Sequence, residues 1–120
     1  MSASAVPAML ILWFLTPYNG HAHNVAMREK VDLLFRQKRA HAGGVIEIVI
    51  WRVPAPVPPS EHSFKYRLVF ARDGRRLVGY DNERGKGDHR HLGEKELRYT
   101  FVDDAALLDD FWRDVKEATK

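Results

Sequence analysis

Apolar and polar residues alternate with a period of two along much of the chain, and with a helical period only near its end. Val45 to Val53 is rich in β-branched residues and reads as a strand, with Ile46, Ile48 and Ile50 on one face and Val49 and Trp51 on the other. Pro54 ends it, and Pro54, Pro56, Pro58 and Pro59 make a stiff extended connector. Phe64 to Arg72 alternates again, with Phe64, Tyr66, Leu68 and Phe70 on one face and Lys65, Arg67 and Val69 on the other. Asp73-Gly74 is a strong two-residue hairpin signal, and Arg75 to Asp81 is the returning strand. Unbroken pairing across that loop sets Phe70 opposite Leu77, Leu68 opposite Gly79 and Tyr66 opposite Asp81. Asp81 is then expected on the face of Leu68 and Phe70. Leu97 to Val102 is a weaker strand. Asp103 or Asp104 caps a final helix whose Leu107, Leu108, Phe111, Trp112 and Val115 form one apolar stripe.

Two segments are less determined. Between Arg28 and Ala42, Val31, Leu34 and Phe35 suit a helix, whereas Gly43-Gly44 after a charged alternating run suits a hairpin opened by a strand from Leu33 to His41. The strand is preferred. Pro7 to Leu15 is apolar but shorter than the ~20 residues a membrane span needs, and no Lys or Arg precedes it as in a signal peptide. Residues 1–26 are therefore read as a leader outside the domain from a mis-assigned start, with Met27 as the preferred true start ahead of a signal or membrane anchor, and residues 27–120 as a single domain. The expected class is α+β: an antiparallel sheet of about four to five strands packed by a C-terminal amphipathic helix.

Composition changes this picture in two places. The 120 residues include no cysteine, which excludes disulfides, thiolate zinc sites and a cysteine nucleophile and fits a cytoplasmic protein. The net charge of +3 conceals an asymmetry. Residues 28–102 hold 16 basic and 10 acidic residues, and residues 103–120 hold 3 and 6. A basic body with an acidic final helix accommodates an acidic partner without demanding nucleic acid.

The chemistry concentrates in Gly79-Tyr80-Asp81-Asn82-Glu83-Arg84-Gly85-Lys86-Gly87-Asp88-His89-Arg90-His91, read as a polar segment between strands. Three readings compete with a plain solvated turn. Gly85 and Gly87 let the backbone approach a phosphate, with Arg84, Lys86 and Arg90 adding positive charge. No Walker or GxGxxG pattern is present, and no cofactor is implied. Alternatively, the segment cleaves RNA by acid–base chemistry. If residues 88 to 92 are extended, His89 and His91 share a face and suit both proton roles, Arg84, Lys86 or Arg90 stabilises the crowded phosphate, and Tyr80 stacks or assists. Lys65 and Arg67 extend the RNA-binding surface from the neighbouring strand. The third reading, a metal held by His89 and His91 with Asp81 or Asp88, ranks below acid–base chemistry because His41 and His62 lie far off in sequence.

The same segment, with Trp51-Arg52-Val53-Pro54, Pro58-Pro59-Ser60, Phe64-Lys65-Tyr66-Arg67-Leu68 and the ending Phe101-Val102-Asp103 followed by Leu107, Leu108, Asp110 and Phe111, resembles the TumE-type toxins of prokaryotic toxin–antitoxin systems. The resemblance runs from about Met27 to Val115. It implies a small toxin neutralised by a cognate DNA-binding antitoxin, and it favours His89 and His91, because family members carry histidines after the Tyr-Asp-Asn element. It transfers no proven catalytic residue. The expectation is a toxin of a type II system that cleaves RNA without a metal. The alternative is a non-catalytic module that binds RNA or a partner.

Overall fold

The computed structural model describes residues 31–120. The expected leader, residues 1–26, lies outside the described residues. Six strands follow one another as a meander: β1 (Asp32–His41), β2 (Gly44–Arg52), β3 (Phe64–Arg72), β4 (Arg75–Glu83), β5 (Gly87–Leu92) and β6 (Lys95–Arg98). They pair antiparallel in chain order, and α1 (Asp104–Ala118) closes the described chain. No helix among the described residues is long and apolar enough to cross a membrane.

The α+β class and the terminal helix are as expected, but the strand count is six. The difference arises in the polar segment, whose two arms are themselves strands. β4 continues through Asn82 and Glu83, the chain turns over Arg84 to Lys86, and β5 pairs back with Asp81 opposite His89 and Gly79 opposite His91. Polar residues on both faces hid that alternation. β6 also differs: it begins at Lys95 and ends at Arg98, ahead of the expected Leu97 to Val102.

The preferred opening strand is present as β1, although its turn is Ala42-Gly43 and Gly44 already pairs with His41. At the Asp73-Gly74 turn both residues have positive φ, 56° and 73°, as a tight two-residue hairpin requires. Arg72 pairs with Arg75 as the loop predicts, but the register then slips. Ala71 faces Arg76 and Phe70 faces Val78, so Leu77 is an extra residue in β4. The bulge brings both Leu77 and Val78 against the core. It also reverses the parity of everything beyond it. Leu68 faces Tyr80 and Arg67 faces Asp81, so Asp81 lies on the opposite face from Leu68 and Phe70.

The core occupies one face. Ile46, Ile48, Ile50, Tyr66, Leu68, Phe70, Val78 and Tyr80 pack against Leu107, Phe111 and Val115 of α1, all fully or almost fully buried. Asp103 caps the helix, its carboxylate accepting the Ala106 N–H at 2.8 Å, while Asp104 places negative charge in the first turn. A smaller cluster of Val49, Trp51, Val53 and Val57 forms on the far face of β2 and beneath the proline-rich connector.

Candidate functional site

Alternation along β4 and β5 divides the chemical segment between the two faces of the sheet. On the far face, away from α1, stand Asp81, His89 and His91. His89 and His91 are two apart on one strand, and their rings lie 5.0 Å apart at 80°. Asp81 is the cross-strand partner of His89. His89 is buried, with Nδ1 2.9 Å from the Gly87 carbonyl and Nε2 2.7 Å from an Asp81 carboxylate oxygen. Glu96, delivered by β6 opposite His91, lies 3.6 Å from the same Nε2 and pairs with Lys86 at 3.1 Å. Both His89 nitrogens thus face oxygen acceptors.

His91 is half-buried. Burial holds its pKa below the usual histidine value, and the nearby Arg76 and His89 push it the same way against Asp81 and Glu96. Arg76 reaches this position across Gly79, where a Cβ would stand 2.8 Å from the arginine Cδ. A methyl there would force the flexible arginine end to shift. Lys86 lowers the Glu96 pKa through hydrogen bonding, and Glu96 raises that of Lys86. By register Arg67 and Arg98 share this face, so the cluster is bordered by positive charge.

Lys65 shares the far face too, but its side chain is buried, 2% exposed, and its ammonium donates to the Asn82 carbonyl at 2.6 Å. Burial pulls its pKa down to about 7, with Asp81 and Glu83 opposing.

Tyr80 and Arg90 face the other way. The Tyr80 hydroxyl donates to Asp114 of α1, and Arg90 reaches Tyr80 Oη at 3.1 Å and Asp114 at 3.2 Å. Burial and the Asp114 hydrogen bond push the Tyr80 pKa up. These two residues join the sheet to the helix. In the β4–β5 turn, the Gly85 N–H donates to the Pro58 carbonyl at 2.9 Å and the Lys86 N–H to the Glu83 carbonyl at 3.0 Å. Those amides hold the connector and the turn. Gly87, with φ of 79°, contributes its carbonyl to His89. Arg84 is exposed in the turn.

Asp88 also leaves the histidine face. It accepts hydrogen bonds from Ser60, from His62 at 2.7 Å and from Tyr66 at 2.9 Å. Burial favours its neutral form, but these three donors outweigh it and hold its pKa below the ordinary value. His62 Nδ1 accepts the Phe64 N–H, which assigns Nε2 as the donor to Asp88, and the ring stacks on Phe101 at 3.8 Å. His41 packs edge-on against Phe70 and Trp112. Both histidines lie outside the Asp81 cluster. Between the connector and the β5–β6 hairpin opens a cleft of about 490 Å³, bordered by His62, Asp88, His89, Glu96, Arg98 and Phe101.

Sequence reasoning missed Glu96 and Arg76. Glu96 has a local signal in hindsight: Gly93 and Glu94 form a short loop that sets it opposite His91. Arg76 has none, because only the bulge beyond it, at Leu77, brings Gly79 and His91 onto its face.

The fold and the site together define a small meander-sheet protein with a histidine–carboxylate cluster on the face away from its helix. A family model described as "Toxin TumE" matches residues 22–119. The chain belongs to the TumE toxin family, which makes it the toxin component of a pair and implies an antitoxin partner. Among curated proteins and among solved structures, nothing matches it significantly.

Proposed function

We propose that this toxin arrests growth in the cytoplasm by cleaving RNA at the Asp81–His89–His91 cluster, within a type II system whose antitoxin binds DNA. The observation that carries the reading is two histidines with rings 5.0 Å apart on one strand, one of them held by a carboxylate, inside a basic border. In this reading His91, held toward its neutral form, accepts the proton of the ribose 2′-hydroxyl as the 2′-oxygen attacks phosphorus. The P–O5′ bond breaks, and His89, whose Nε2 stands 2.7 Å from Asp81 and 3.6 Å from Glu96, gives its proton to the departing 5′-oxygen. The products are a 2′,3′-cyclic phosphate and a free 5′-hydroxyl. Arg76 and Lys86 supply positive charge for the phosphorane, and Arg67 and Arg98 hold the flanking backbone.

Induced expression is expected to arrest growth, and purified protein to cut labelled RNA in the presence of chelator. His89→Ala and His91→Ala, with thermal unfolding as the check on folding, are each expected to lower cleavage by a factor of about 100 or more. Full toxicity in a folded double variant would falsify the assignment.

One observation favours a second reading. Both nitrogens of His89 are engaged within the protein, as in a structural histidine. In that case the far face binds RNA or a partner without chemistry, and tight RNA binding with no cleavage is the expected result.

A further inference from the structure

We propose that Asp81, His89 and His91 also form a binding site for one divalent transition-metal ion of the zinc class, and that the ion and the acid–base function exclude each other. The exclusion rests on the RNA-cleavage reading; the site itself does not. The three residues each offer a ligand atom, and these atoms all lie within 4.8 Å of one another. Ligands about 2.1 Å from a tetrahedral ion stand about 3.4 Å apart. The Asp81–His89 pair, at 2.7 Å, must open slightly and the wider separations must close by up to about 1.4 Å, small rotations for side chains on adjacent strands.

The surroundings are those of a ligand set. The Gly87 carbonyl takes Nδ1 of His89, which leaves Nε2, 2.7 Å from Asp81, as the nitrogen that points into the cluster, and this is how metal-bound histidines are commonly oriented. His89 is 5% exposed, so it has little freedom to turn away. Glu96, 3.6 Å from Nε2, is close enough to become a fourth ligand by leaving Lys86. Two imidazoles with carboxylate select a borderline ion over magnesium, which prefers oxygen ligands alone. An ion here takes the imidazole lone pairs that proton transfer requires, so occupancy switches the site off.

The test is calorimetric titration of the full chain with zinc chloride, in a His21→Ala, His23→Ala background that removes the other His-x-His pair. Cobalt absorption spectra give a readout independent of activity. One ion per chain is expected, with no comparable heat from magnesium. Asp81→Asn and His91→Ala are each expected to weaken binding by about ten-fold or more. Folding of these variants is checked by circular dichroism, and Asp81→Asn preserves shape should His91→Ala fail to fold. Absence of zinc binding, affinity unchanged in both variants, or equal affinity for magnesium overturns the proposal. Zinc is also expected to inhibit RNA cleavage and chelator to restore it; cleavage unaffected at saturating zinc overturns the exclusion. Zinc binding by a protein that cuts no RNA leaves the metal site standing and removes the cleavage reading. Chelator-resistant cleavage by a protein that binds no zinc does the reverse.

Discussion

Tyr80 and Asp81 are neighbours in the chain and belong to different parts of the molecule, as do Arg90 and His91. On the helix side, Tyr80 and Arg90 converge on Asp114 and close a core built from Phe70, Tyr66 and Phe111. On the far side, Asp81, His89 and His91 gather with Glu96 and Arg76 into a charged cluster whose bordering side chains reach solvent. The two faces share backbone but not environment. A contiguous polar motif therefore need not be one site, because a strand sends alternate residues to alternate faces. Arg90 supports the fold where its position in the motif suggested phosphate binding.

This contrast can be broken by measuring stability and toxicity side by side. The largest stability effect belongs to the helix side: Phe111→Ala is expected to cost about 3–5 kcal/mol in denaturant unfolding, whereas the half-buried His91→Ala is expected to cost less than about 1 kcal/mol while removing toxicity. Equal stability losses for the two would erase the division.

Lys65 tests the far face through pH. Its folded pKa of about 7 lies below the unfolded 10.5, so between these values the unfolded chain holds more protons and stability rises with pH. Below about 7 both states are protonated and the burial cost is complete. The stability of Lys65→Met relative to the native chain is expected to fall by a few kcal/mol, as an order of magnitude, from pH 6.5 to pH 10. A pH-independent difference between the two proteins would contradict the buried ammonium.

Tyr80→Phe removes the hydroxyl that joins β4 to Asp114 and Arg90, and is expected to cost about 1–2 kcal/mol with RNA cleavage unchanged at equal folded fraction. Loss of cleavage there would return Tyr80 to the site. The smallest effect is expected from Gly79→Ala. Its methyl displaces Arg76 from its place across the strand, at less than about 1 kcal/mol because the arginine end is flexible. A rise in the His91 pKa, followed by NMR titration, is the expected sign that Arg76 has moved.

Much of the fold was legible locally. The β-branched run of β2, the alternation of β3, the Asp73-Gly74 turn and the capped helix each depend on neighbours a few residues apart. β1 was legible chiefly through its turn glycines. The β4–β5 hairpin was hidden because strand patterns show in sequence when one face is apolar, and here polar residues occupy both faces: Asn82 and Asp88 on one side, Asp81 and His89 on the other. His89 and His91 were legible as a pair, since spacing by two needs only an extended backbone.

By itself the sequence determined the α+β class, the hairpin turn, the apolar stripe of the helix and a His-x-His spacing that puts both rings on one face if the backbone is extended. All of these follow from backbone periodicity and turn sterics, which act over a few residues. Only the tertiary structure decided that Asp81 joins those histidines while Tyr80 and Arg90 do not. One extra residue at Leu77 reverses the facing of every residue beyond it, and that bulge lets both Leu77 and Val78 pack against a core assembled from distant parts of the chain.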